Sequence, residues 1–263
     1  MLDAQSAGEA GGDGVSSLAQ SVFRASTQNW VRVEHGMFHC WAGTEQEAGD
    51  TCSDAEFAWR RITGYLGQEP RGGPIRLFVV SDRALWHRVV QSADRRRDSV
   101  AVQAGDEVFI LREAGQAWEL PRLPHELVHV KLWRLYGRKV PLWVDEGLAT
   151  YLGWHTAEAR EWEQTVVLSR RKERIPEAER RSPAELQQVR SYRNVGPSFY
   201  AQVEEMIAIV VRLQGVDALG DLARKVVEKD WTWETYLDEA GLTEQQIYRL
   251  EEEWWQKWGG RRP

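Results

Sequence analysis

His125-Glu126-Leu127-Val128-His129, followed by Trp143-Val144-Asp145-Glu146-Gly147-Leu148-Ala149-Thr150-Tyr151, is the part of the chain on which its reading turns. Helical residues four apart lie one turn above each other with Cβ atoms roughly 5–6 Å apart, so His125 and His129 share a face. Two imidazoles placed in this way can hold one metal ion. Zinc bonds an imidazole nitrogen at about 2.0–2.1 Å, and a hydrolytic zinc site takes three protein ligands and leaves the fourth position to water. Glu146, opening the next apolar segment, is the candidate third ligand. Glu126, next to the first histidine, is then left to take a proton from water rather than to bind the metal.

Outward from the pentapeptide, Leu123, Leu127, Val128, Val130, Leu132 and Trp133 make this helix apolar nearly all round, so it is expected to be central and buried. Buried histidines and carboxylates are costly unless bonded to something, which is a separate reason to place a metal among them. Pro121 and Pro124 suit the start of the helix and Gly137 its end. After Pro141 a second helix carries Glu146. Upstream, residues 30–41 read as a strand or a hairpin broken at Gly36, and 45–66 as a long helix with Ala55, Phe57, Ala58, Ile62 and Tyr65 inward, stopped by Gly67. Residues 75–80 form a buried strand. Ser81 reads as the N-cap of a helix through Val90, and 99–103 with 107–111 as a hairpin around Ala104-Gly105-Asp106. The remainder is helical in pattern, broken by Pro176, Pro183, Pro197, Gly215 and Gly241, with no repeat of fixed period.

The expected fold is therefore α+β: a flexible leader over 1–27, an α/β lobe over 28–156 with a small mixed sheet and the two motifs, and an all-helical lobe over 157–263 that completes the site. The leader is rich in Gly, Ala and Ser and lacks both a basic start and an apolar run, so it does not read as a signal peptide. The 263-residue chain has a net charge of −6 and 42% hydrophobic residues, and no run approaches the ~18 apolar residues of a membrane span. That balance argues against nucleic acid as a partner. Arg95-Arg96-Arg97 and Arg170-Arg171-Lys172 read as solvated charges. Cys40, at a strand end, and Cys52, inside a helix, are placed so that a disulfide is sterically allowed, and the sequence leaves it open. Most of the 14 tryptophans are expected in core and lobe packing. His35, His39, His87 and His155 lack ligand partners at suitable spacing and read as structural.

The two motifs together resemble the gluzincin metallopeptidases, in particular the bacterial peptidase MA-like group related to the thermolysin and aminopeptidase N families. The resemblance extends over roughly residues 28–258, through Pro74-Ile75-Arg76-Leu77 and the following hairpin, Ser198-Phe199-Tyr200-Ala201-Gln202, and Ala240-Gly241-Leu242-Thr243. It implies a zincin-like fold, Zn2+ as cofactor on His125, His129 and Glu146, Glu126 as general base and proton shuttle, a peptide or protein substrate and an extracytoplasmic setting. A tyrosine assists the oxyanion in several gluzincins, which here points to Tyr200, with Tyr192 as the alternative. The interval between His129 and Glu146 is shorter than in aminopeptidase N, and that family's Gly-Ala-Met-Glu-Asn element is missing, so endopeptidase action is favoured over exopeptidase action. Residues 102–107 read either as an edge strand that aligns a substrate backbone or as a plain hairpin. Asp145 and Thr150 are placed to orient a ligand imidazole, although Asp145 also suits a helix cap.

The leading expectation is thus a zinc-dependent peptidase. A zinc-stabilised, non-catalytic binding or scaffolding protein and a metal-dependent hydrolase of non-peptide amides are the alternatives.

Overall fold

The computed structural model describes residues 15–68, 72–92, 100–112, 122–159, 175, 177–192, 195–243, 245–247, 249–250 and 252. The first fourteen residues, the two basic runs at 95–97 and 170–172, Pro121, Pro176, Trp118, Trp254, Trp255 and Trp258 lie outside the described residues.

The sequence turns where glycine permits a positive φ. Strands β1 (Val31–His35) and β2 (Phe38–Ala42) form an antiparallel hairpin around Gly36, whose φ is 59°. Helix α2 (Glu45–Leu66) starts at Thr44, whose side chain accepts from the Glu47 amide, and ends at Gly67 with φ 90°. Strand β3 (Ile75–Val80) runs parallel to β2, and helix α3 (Arg83–Ser92) follows. Its cap is Asp82 rather than the expected Ser81. The Asp82 carboxylate accepts from the Ala84 amide at 2.7 Å, while the Ser81 hydroxyl is turned away to Gln28. Strands β4 (Ala101–Ala104) and β5 (Glu107–Leu111) form the second hairpin around Gly105, and β5 pairs with β3 in parallel.

The result is a five-stranded mixed sheet in the order β1-β2-β3-β5-β4, with β4 at one edge. Its two faces follow the period-two alternation of side chains. Leu77, Val79, Val108 and Ile110 point to one core, and Trp41, Phe78 and Phe109 to the other. The second set stacks across three strands, with ring centroids 4.9 and 4.7 Å apart.

The smaller core is closed by α3 and by α1 (Ser17–Ala25). Residues 15–25 were counted above in the flexible leader; instead Val15, Ala19 and Val22 are buried, and the Ser16 amide donates to Glu107 at 2.7 Å. Glu107, itself buried, therefore ties this segment to β5. The larger core holds α2, α4 (Arg122–Tyr136) and α5 (Leu142–Glu158) together with the later helices α6 (Pro183–Gln187), α7 (Pro197–Gln214), α8 (Leu219–Lys229) and α9 (Trp233–Glu239). One continuous core thus runs through both halves of the chain. The architecture is mixed, with helices around a small sheet, as expected for α+β. Cys40 and Cys52 form a disulfide between β2 and α2, with Cα atoms 5.8 Å apart. No helix among the described residues is long and apolar enough to cross a membrane.

Candidate metal centre

Helix α4 lies at the centre of the larger core. Leu123, Leu127, Val128, Val130 and Leu132 are all at most 2% exposed, so the helix is buried nearly all round, as its sequence predicts. Lys131, fully buried, donates to the Thr63 hydroxyl of α2 at 3.0 Å and lies 5.0 Å from the Trp59 ring. Burial first, then Arg134, lowers its pKa to about 8. Arg134, one turn from Lys131, donates to Asp106 at 2.7 Å and so ties the β4–β5 turn to α4.

Helix α5 returns alongside α4, and two glycines allow its neighbours to come close. A Cβ on Gly153 would meet the His125 Cβ at 3.2 Å, and one on Gly147 would meet the Val203 carbonyl oxygen of α7 at 2.8 Å. Glycine is required there by proximity, not by backbone angle. With α5 so clamped, Glu146 projects from its first turns at the two histidines.

Among the described residues, His125, His129 and Glu146 form the only cluster of three metal-ligating side chains. The two Nε2 atoms are 3.1 Å apart, His125 Nε2 is 3.4 Å from Glu146 Oε2, and His129 Nε2 is 3.6 Å from Glu146 Oε1. Ligand atoms about 2.0–2.1 Å from one tetrahedral ion stand roughly 3.3–3.4 Å apart, so the triangle has the right size for zinc. Glu146 Oε2, buried from solvent, has no hydrogen-bond partner of good geometry among the described residues, as suits a carboxylate oxygen that faces a cation. The donor set of two imidazoles and a carboxylate suits zinc chemically.

The surroundings orient these groups. His129 Nδ1 is 2.8 Å from Asp145 Oδ1, which leaves Nε2 free to face Glu146 and His125. Asp145 therefore does more than mark a helix start, whereas the Thr150 hydroxyl is buried and makes no hydrogen bond among the described residues. Without metal the cluster is a charge pair. Burial alone would lower the His129 pKa, but the Asp145 and Glu146 carboxylates outweigh it and hold the ring protonated up to about 10. Burial likewise opposes ionisation of Glu146, yet His129 and His125, helped by the Tyr192 hydroxyl, bring it down to about 2.

Glu126 is buried beside the cluster and adds its charge to the field at His129, but it is not one of the three converging ligands. A cleft of about 1020 Å³ opens at His129. Gln103, Ala104 and Gly105 of the sheet edge line it, with Trp133 of α4, Leu142 and Tyr192 among the facing residues. β4 is both the edge strand of the sheet and half of the β4–β5 hairpin, and its residues share this cleft with His129.

Of the two candidate tyrosines, Tyr192 lines this cleft. Tyr200 stands in the first turns of α7, edge-on to Phe199, and is not among the residues lining it. Tyr192 follows α6 in a short, irregular stretch with no periodic pattern, so its proximity to Glu146 had no sequence signal. Six tryptophans, Trp30, Trp41, Trp59, Trp86, Trp143 and Trp233, are core residues, while Trp133 is exposed at the cleft.

No family model and no curated protein matches the chain.

Proposed function

We propose that the protein is a zinc-dependent peptidase with a zincin-like fold, acting as an endopeptidase on peptides laid along the cleft. The observation that carries this reading is the triangle of His125, His129 and Glu146 ligand atoms with the Glu126 carboxylate beside it and outside it. A purely structural zinc site has four protein ligands and no need of an adjacent buried acid. Here three groups converge and a fourth, proton-accepting group is held back.

His125, His129 and Glu146 would hold the metal, which when bound lowers the pKa of water towards about 7 and polarises a carbonyl. Asp145 keeps the His129 ring in register for that task. Glu126 accepts the proton of the attacking water and returns it to the leaving amine, so that one carboxylate serves both halves of the reaction. Tyr192 supplies a hydroxyl at the cleft wall for the developing oxyanion, with Tyr200 the second candidate. β4, the edge strand of the sheet among the described residues, would offer backbone groups to which an extended peptide can add as a further strand, which favours cleavage within a chain over removal of its terminal residue.

Digestion of a proteome-derived peptide library tests the reading. Internal cuts by the wild type, abolished by a chelator and by Glu126→Gln, are expected. A library left intact by the zinc-loaded wild type overturns it, and release of terminal residues alone overturns the endopeptidase assignment.

A further inference from the structure

The cleft beside the metal cluster differs in charge from the molecule as a whole. The chain carries a net charge of −6, yet among the described residues the charged groups on the cleft wall, His129 aside, are Lys139, Arg190 and Asp145, two cations to one acid. The acids nearby are committed elsewhere: Asp145 to His129, and Asp106, at the end of the edge hairpin, to Arg134. Among the described residues neither Lys139 nor Arg190 is paired with a carboxylate. Arg190 donates only to the Gln187 and Val189 carbonyls of its own segment, which leaves its positive charge uncompensated.

The two cations also sit on different stretches of chain. Lys139 follows α4 in the turn that leads to α5, and Arg190 follows α6; Gln103 and Ala104 of the edge strand line the same cleft. Val140, Leu142 and Val189, next to them in the chain, add apolar surface to the lining. An extended peptide held by β4 presents alternate side chains to that wall. A carboxylate arriving there meets two positive charges, the lining acid Asp145 being held by His129, whereas a lysine or arginine side chain is repelled.

We propose that the cleft selects peptides carrying an acidic side chain close to the metal cluster, with Lys139 and Arg190 as the specificity-determining residues. The proposal rests on the peptidase reading for its substrate class, but its charge preference is measurable without turnover. Each exposed ion pair contributes a factor of about two to five, so the two together give on the order of tenfold.

The test uses the zinc-loaded Glu126→Gln protein and fluorescein-labelled peptides of alanine and serine with Glu, Gln or Lys at a single position, walked along the sequence. Fluorescence anisotropy is expected to show the Glu peptide binding about tenfold more tightly than its Gln counterpart at one or two positions. That preference is expected to vanish in Lys139→Gln/Arg190→Gln and to invert towards the Lys peptide in Lys139→Glu/Arg190→Glu. Both side chains are exposed, so the variants should fold normally. Equal affinity for Glu and Gln peptides, persistence of the preference in the double variant, or no binding to any peptide overturns the proposal. Cleavage of the same peptides by the wild type is scored separately: charge-selective binding without cleavage removes the peptidase reading and leaves the selectivity of the cleft standing.

Discussion

At the scale of single residues, the site depends on which nitrogen of each imidazole is aimed at the cluster. Asp145 settles that for His129 by occupying Nδ1 at 2.8 Å. Asp145→Asn keeps the shape but weakens the acceptor and is expected to lower zinc affinity by about 10–100-fold, read by competition with a chromogenic chelator; unchanged affinity would mean that the packing of the ring, not the hydrogen bond, sets its orientation. The same residues give the metal-free protein a characteristic pH response. His129 has its pKa raised from 6.5 to about 10 in the fold, so its contribution to stability is complete below 6.5 and fades as pH rises towards 10. Glu146 has its pKa lowered from 4.5 to about 2, so its contribution is complete above 4.5 and fades as pH falls towards 2. The stability advantage of the metal-free wild type over Glu146→Gln should therefore be widest between those limits, near pH 4.5–6.5, and shrink on both sides. Urea titrations across pH read it directly, and a flat difference would exclude the charge pair.

At the scale of elements, everything at the site follows from how closely α5 lies against α4 and α7. Gly147→Ala places a methyl group 2.8 Å from a carbonyl oxygen of α7 and is expected to destabilise the protein by about 1–3 kcal/mol. Gly153→Ala meets the His125 Cβ at 3.2 Å and should cost less stability while displacing a ligand, so its effect appears in zinc affinity. Comparable losses in both quantities for both variants would contradict this division of labour. Such crowding is invisible in one dimension, where Gly147 and Gly153 merely weaken a helical pattern. Glycine at a turn is different: Gly36, Gly67, Gly105 and Gly137 mark the breaks of β1–β2, α2, β4–β5 and α4 because the backbone there has positive φ. Helix α1 is only nine residues long, and what anchors it lies far away in the sequence: Glu107 holds the Ser16 amide before it, and Phe23 packs against Trp30 and Phe78. The two candidate histidines were legible because i,i+4 spacing is a local rule, and Glu146 because it opens the next apolar segment, whereas Tyr192 and Lys139 reach the cleft only through the path of the chain between helices.

At the scale of the whole molecule, one core links the sheet to the late helices, and the candidate metal cluster sits inside it rather than in a separable module. The Cys40–Cys52 bridge fastens the sheet to α2 on the same side, closing a loop with a sequence separation of 12. Loop-closure entropy for that length amounts to about 3 kcal/mol, so the Cys40→Ala/Cys52→Ala protein is expected to lose about that much unfolding free energy while still binding zinc. Loss of zinc binding in the folded variant would show that the bridge shapes the site as well as the fold.

The central claim is that Glu126 acts on water at a metal held by His125, His129 and Glu146. Metal content and peptide cleavage measured on the same preparations of wild type and Glu126→Gln test it most directly. Close to one zinc per chain is expected in both proteins, with cleavage by the variant reduced by about 10²–10⁴-fold. Equal cleavage by the two proteins, or full activity in a wild type stripped of metal, would contradict it.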